Sequence, residues 1–321
     1  MNRILVISDI HYAGKAEQAR GEYELRAVGN PLLRLLVAAY RNWIWLRAPT
    51  QKNYLLEKCL RLEPNPDLVV ANGDYSCDSG FVGVCDDAAC ESAKQCLDLL
   101  RQHHGHRLHT ILGDHELGKK SLFGGKGGLR IASWDRCVGE LGLEPFWQLN
   151  IGSYALTGVA SSLIALPVYE SEALPEELEL WNARRVAHLK EIESAWKTLP
   201  STARIILFCH DPTALPYLWK EQFVRDRIGQ VERTIIGHLH SPLILWKTRI
   251  LRGMPMISFL GTTARRLSWA LREAKHWKPF NITLCPSLAG IELLKDGGYL
   301  VLDLDPEGRT PLKINRRFLP R

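Results

Sequence analysis

Short aliphatic and β-branched runs recur along the chain, most of them bounded by Gly, Asp, Asn or Pro, and such runs predict strands. They are Arg3–Ser8, Leu68–Asn72, Leu108–Leu112, Tyr154–Ala160, Arg204–Cys209, Thr234–Ile236, Met256–Leu260, Tyr299–Asp303 and Leu312–Asn315. Between several of them, apolar residues at three- and four-residue spacing predict helices over Lys52–Leu62, Ala88–His103 and Asn182–Leu199. Strands alternating with helices of this length pack as helices over a mixed or parallel sheet, so an α/β layered fold is expected. Asp305-Pro306-Glu307-Gly308 predicts a turn joining two antiparallel strands near the C-terminus. With no internal repeat in view, the expectation is one domain over residues 1–321 with insertions near 12–51 and 117–146.

One apolar segment stands apart. Leu32–Leu46 places Arg34 and Arg41 seven positions apart, on one helical face, beside Tyr40, Trp43 and Trp45. Two readings fit: an interfacial helix or acyl-chain groove, and a helix packed on the protein's own core with its arginines reaching outward. The second is the commoner outcome and is the one expected.

Composition narrows the class. A hydrophobic fraction of 46% and a charged fraction of 24% over 321 residues belong to a folded globular chain. The net charge of +6 favours anionic partners such as phosphates or lipid headgroups only mildly. With the positive charge spread and no basic–aromatic motif, nucleic acid is not expected as a partner. The first eight residues carry one charged side chain and no small-residue cleavage site, so a cytoplasmic location is expected, with peripheral contact to a membrane's inner face through 32–46 as the alternative to core packing of that segment. Eight cysteines then imply reduced thiols, and the gaps between Cys77, Cys85, Cys90 and Cys96 match no zinc or iron–sulfur spacing. The histidines at 103, 104, 106 and 109 surround a glycine between a helix and a strand and read as a solvated turn.

The chemistry lies in five clusters, each directly after a predicted strand: Asp9-Ile10-His11, Gly73-Asp74, Gly113-Asp114-His115-Glu116, Cys209-His210 and Gly237-His238-Leu239-His240. In an open α/β sheet, ligands gather outside the carboxyl ends of the strands, where such loops converge. On an extended segment, alternate residues project to one side, so Asp9 with His11, and His238 with His240, are each expected to form a clip. Mixed carboxylate and imidazole donors suit Mn, Fe or Zn better than Mg or Ca. Singly these motifs are weak; five in order are not.

In these residues the chain resembles the calcineurin-like metallophosphoesterases, whose motifs run D-x-H, G-D-x-x-D, G-N-H-D/E, a histidine after a strand, and G-H-x-H. The resemblance implies a layered sandwich of mixed sheets flanked by helices, and two divalent metals, Mn first and Fe or Zn next. Asp9, His11, Asp74 and His240 would hold one ion, and Asp74, Asp114, His210 and His238 the other, with Asp74 bridging. His115 would stabilise charge at the scissile phosphate and protonate the leaving oxygen, oriented by Glu116. Two cations about 3.5–4 Å apart lower the pKa of a shared water and neutralise phosphoryl oxygens, which is the expected route to hydrolysis by a bridging hydroxide. Asp114 stands where the family has Asn, and Asp78 lies four residues after Asp74 where the family spacing is three.

The insertions are expected to choose the substrate. Gly124–Gly128 predicts a mobile loop, either closing over phosphate or serving as a linker. Trp43, Trp45, Arg265 and Arg266 fit an anionic head with an apolar tail, resembling the UDP-2,3-diacylglucosamine pyrophosphohydrolase branch. The rival readings are a non-catalytic binding scaffold on the same fold and a lipid-docking protein.

Overall fold

A computed structural model describes residues 1–21, 23–77, 81–121, 125–255 and 262–319. Among the described residues there are ten strands: β1 (Asn2–Ile7), β2 (Leu68–Ala71), β3 (Leu108–Thr110), β4 (Phe146–Ile151), β5 (Tyr154–Val159), β6 (Arg204–Cys209), β7 (Val231–Ile236), β8 (Ile282–Leu284), β9 (Gly298–Leu304) and β10 (Lys313–Phe318). They form two five-stranded mixed sheets, ordered β10-β9-β1-β2-β3 and β4-β5-β6-β7-β8. In the first, β1 pairs parallel with β2 and antiparallel with β9. In the second, β5, β6, β7 and β8 run parallel and β4 pairs antiparallel with β5.

The two-residue period of the strands explains the layering. Ile4, Val6, Val70, Leu300 and Leu302 of one sheet share a buried cluster with Trp147, Leu156, Ile206, Phe208 and Ile235 of the other. Their neighbours Leu5, Ile7, Val69, Leu207 and Ile236 belong to a second cluster, built with helical residues such as Leu97, Leu100, Trp181 and Trp196. The α/β layered expectation therefore holds. The helix Asp87–His104 shows how local chemistry sets its ends: the Asp86 carboxylate caps Ala89 N–H, and Gly105 follows at φ 56°. The C-terminal hairpin of β9 and β10 forms as the Asp305–Gly308 turn predicts.

β4 and β8 were not expected. β4 alternates polar and apolar residues but adjoins the 117–146 insertion, and β8 has only three residues, too short for a periodic signal. The strand expected at Met256–Leu260, together with Asp78 and Gly124, lies outside the described residues. Gly127 and Gly128 are not linker positions: a Cβ on Gly127 would meet Phe81 at 2.2 Å, and one on Gly128 would meet the Glu172 carbonyl at 1.8 Å.

The expected core packing of 32–46 is wrong for its helix, Pro31–Trp43. Asn30 caps Leu32 and Leu33 N–H and Pro31 occupies the first turn, yet no residue of the helix is buried. Leu32, Leu35 and Trp43 are 68%, 66% and 77% exposed. Arg34 folds back onto the Val28 carbonyl and Arg41 pairs with Glu24, so the helix is tied to the segment before it. The part that docks is the stretch just beyond the helix, where Leu46 is buried and the Ile44 and Trp45 carbonyls accept from Leu293 and Glu292 N–H. None of the eight cysteines is in a disulfide. His104 is buried rather than solvated, while His103 and His106 are exposed. Among the described residues no helix is long and apolar enough to cross a membrane.

Candidate metal centre

The loops after β1, β2, β3, β6 and β7 meet at one place. Asp74, Asp114, His210 and His238 bring one donor atom each within 4.8 Å of one another, and Asp9, His11 and His240 do the same. His11, Asp74 and His115 form a third such group, so Asp74 stands at the junction. The first two groups contain all seven residues expected to hold metal.

The loop geometry is not extended. Asp9, His11, Asp74, His238 and His240 all sit in the left-handed region, with φ between 50° and 60°. Non-glycine residues there cost about 1–3 kcal/mol each and persist only when their surroundings enforce them. Here Asp9 N–H donates to the Gly73 carbonyl, His11 N–H to the Asp74 carbonyl, and His238 N–H to the Asp9 carboxylate. The clip at Asp9 and His11 is thus made by two left-handed residues, correcting the extended segment expected. His238 and His240 form no clip, because the turn sends their rings to different clusters.

Glycines before these residues allow the close approach. A Cβ on Gly113 would stand 2.1 Å from Asp74 Oδ1, and one on Gly237 would stand 2.1 Å from Ser8 Oγ.

Two histidines are poised as ligands by their outer nitrogens. His210 Nδ1–H donates to the Asn72 carbonyl at 2.5 Å, and His11 Nδ1–H to the Ser76 carbonyl at 3.2 Å. A carbonyl only accepts, so each Nδ1 carries a proton, and in the neutral ring that a metal requires Nε2 turns its lone pair to the site. His210 Nε2 is buried 3.2 Å from Asp74 Oδ2 and 3.3 Å from Asp114 Oδ1, yet no hydrogen bond is properly directed at it. A buried nitrogen surrounded by carboxylate oxygens at this spacing fits a cation, so the donor set can hold metal.

Electrostatics agree. Burial and Asp114 push the Asp74 carboxyl up, but His210 and His115 overcome them and hold it below the usual range. Burial lowers the basicity of His115 and the neighbouring Lys119 lowers it further, to about 3. Burial, with Asp74 nearby, raises Glu116 to about 7.

Glu116 does not touch His115 as expected. Its carboxylate accepts from Asp74, Tyr75 and Gly113 N–H at 2.8–3.0 Å, binding the second and third loops together. The partner of His115 is Lys119, with Nζ 2.6 Å from Nε2 and 3.0 Å from Asp114 Oδ2. Lys119 was not among the residues expected at the site. It lies beyond the short helix Asp114–Leu117 and its Gly118 cap, so no helical spacing to His115 pointed to it.

Of the four expected substrate residues, only Trp45 touches the metal residues, its ring 4.8 Å from that of His240. Trp43 points to solvent. Arg266 is occupied by Glu172 at 2.6 Å and lies over Tyr169, whose hydroxyl donates to Asp211 beside His210. Arg265 is exposed, and with Arg266, Tyr217 and Trp269 it lines a cavity of ≈ 300 Å³.

A family model described as calcineurin-like phosphoesterase matches residues 2–242. Solved structures similar in fold include a dimetal phosphatase from Danio rerio, at 13% identity and TM-score 0.48 over 99% of this chain and 96% of that one. A phosphopantetheinyl hydrolase from Mycobacterium tuberculosis is 16% identical, with TM-score 0.34 over 75% and 84% of the two chains. A purple acid phosphatase from yellow lupin seeds is 11% identical, with TM-score 0.33 over 74% of this chain and 38% of that one. No curated protein matches the sequence.

Proposed function

This chain belongs to the calcineurin-like phosphoesterase family, and from that premise we propose that it is a two-metal hydrolase of a phosphoester or pyrophosphate bond. One observation carries the reading: five loops bring together two donor clusters, buried except for half-buried His238, and Asp74 of the first also groups with His11 of the second. Asp74, Asp114, His210 and His238 would hold one ion, and Asp9, His11, His240 and Asp74 the other. The mixed nitrogen and oxygen donors suit Mn, Fe or Zn, and the family resemblance puts Mn first. When bound, the pair would supply charge neutralisation at the phosphoryl group and acidify water for attack.

The chain's own groups do the rest. Asn72 and Ser76 carbonyls keep His210 and His11 in the right tautomer. Glu116 keeps the loops carrying Asp74 and Asp114 in register. His115 Nε2 accepts from the Lys119 ammonium, so Lys119 rather than His115 presents the proton nearest the site.

Metal analysis and turnover of phosphomonoesters, phosphodiesters and pyrophosphates with Mn test the proposal. Two bound ions with hydrolysis of one class are expected. Fewer than one ion after Mn supplementation, with no hydrolysis, would leave the non-catalytic scaffold standing.

A lipid-linked substrate is supported by a specific observation: Trp45, packed on His240, continues into a helix whose apolar face is open to solvent. An acyl chain lying on that face would reach the metal residues. Replacing Leu32, Leu35 and Leu36 with Glu should lower KM discrimination between acylated and water-soluble phosphoesters without changing turnover of the latter. Equal effects on both substrates would sink this assignment.

A further inference from the structure

A second cavity, of ≈ 400 Å³, has no metal-cluster residue in its lining and is lined by Arg233, Arg249, Arg252, Lys278, Trp277 and Asn281, with no carboxylate among the described residues of its wall. Its volume falls in the range of small-ligand sites. The four cations come from three places in the chain: β7, the end of the helix Pro242–Leu251, and the segment Ala274–Phe280.

The carboxylates next to them in sequence are engaged elsewhere. Glu232 pairs with Arg204, and Glu273 with Arg272 and His276. No ion pair joins any of the four cations to a described residue. Gathering like charges without counter-charge costs energy, which an arriving anion recovers. The helix C-terminus attracts cations and accounts for Arg249 and Arg252, but not for Arg233 on a strand or for Lys278. Trp277, buried beside Lys278, gives the cavity an apolar wall under its cations.

Four cations around a small cavity, with no carboxylate among the described residues of its wall, match a group with several anionic acceptor oxygens. We propose that this cavity is an anion site distinct from the metal clusters and takes a phosphate group, either of a soluble phosphate or of a phospholipid headgroup. The helix Pro242–Leu251 begins two residues after His240, so Arg252 lies about 15 Å along the helix from the metal loop. Trp246, Ile250 and Leu251 on the same helix are exposed, as a headgroup source would require.

The test is calorimetric titration of the Mn-loaded protein with inorganic phosphate at fixed ionic strength, comparing wild type, Arg249→Gln/Arg252→Gln, Lys278→Gln and Asp74→Asn. A binding component should survive Asp74→Asn and weaken at least about tenfold in Arg249→Gln/Arg252→Gln, with a smaller loss in Lys278→Gln. Hydrolysis of an aryl phosphate by the arginine variants should stay at the wild-type rate. Phosphate binding equal to wild type in both arginine and lysine variants overturns the site, as does complete loss of binding in Asp74→Asn. Flotation with phosphatidylcholine vesicles, with and without phosphatidic acid, separates the sources. Flotation that needs phosphatidic acid and is lost in Arg249→Gln/Arg252→Gln assigns the headgroup; phosphate binding without flotation assigns a soluble ligand.

Discussion

Lys119 Nζ lies 3.0 Å from Asp114 Oδ2, so the aspartate that replaces the family's asparagine carries its own counter-charge. The extra negative charge at the centre is thereby offset within one loop. Lys119→Met should leave that buried carboxylate uncompensated and lower kcat/KM for an aryl phosphate by about tenfold to a hundredfold, roughly 1.4–2.7 kcal/mol. Adding Asp114→Asn to Lys119→Met should recover most of the loss. Steady-state kinetics of the two single variants and the double variant check this, and additive losses would refute the pairing.

Asp74 joins two of the three donor groups, and its substitution should be the most damaging of the seven. In Asp74→Asn, bound metal and turnover are expected to fall together, turnover by about a thousandfold or more. Metal analysis beside single-turnover rates measures both; retention of two ions would contradict the bridging role.

Gly113 and Gly237 have no room for a side chain, since a Cβ would stand 2.1 Å from Asp74 Oδ1 or Ser8 Oγ. Each Gly→Ala change should lower stability by about 1–3 kcal/mol through overpacking. Gly105→Ala provides a contrast. It meets nothing within 4 Å and pays only for its φ of 56°, about 1 kcal/mol. Denaturant midpoints rank the three.

His104 is buried at the end of the helix Asp87–His104, where burial first, then Arg107 and His103, hold its imidazole down to about 4. An unfolded histidine titrates near 6.5, so below that pH the unfolded chain takes up a proton that the native chain refuses. His104 therefore contributes full stability above about pH 6.5 and loses it as pH falls toward 4, at up to about 1.4 kcal/mol per unit. His104→Phe should flatten this part of the stability profile. Urea midpoints from pH 4 to 7 measure it, and an unchanged slope would remove His104 as its source.

The α/β layering, eight of the ten strands and all seven candidate metal residues were legible in the sequence, because each rests on local pattern: a period of two, a period near four, or an Asp/His cluster at a strand end. Tertiary structure alone decided the rest. Glu116 and Lys119 took partners that their spacing did not announce, since hydrogen bonds across loops depend on how the sheets align. The backbone at Asp9, His11, His238 and His240 turned left-handed because bonds between distant loops compensate a cost that the isolated segments would not bear. The helix Pro31–Trp43 shows the limit most plainly: amphipathic periodicity specifies that one face is apolar, but whether that face meets core or solvent depends on what the remainder of the chain places against it.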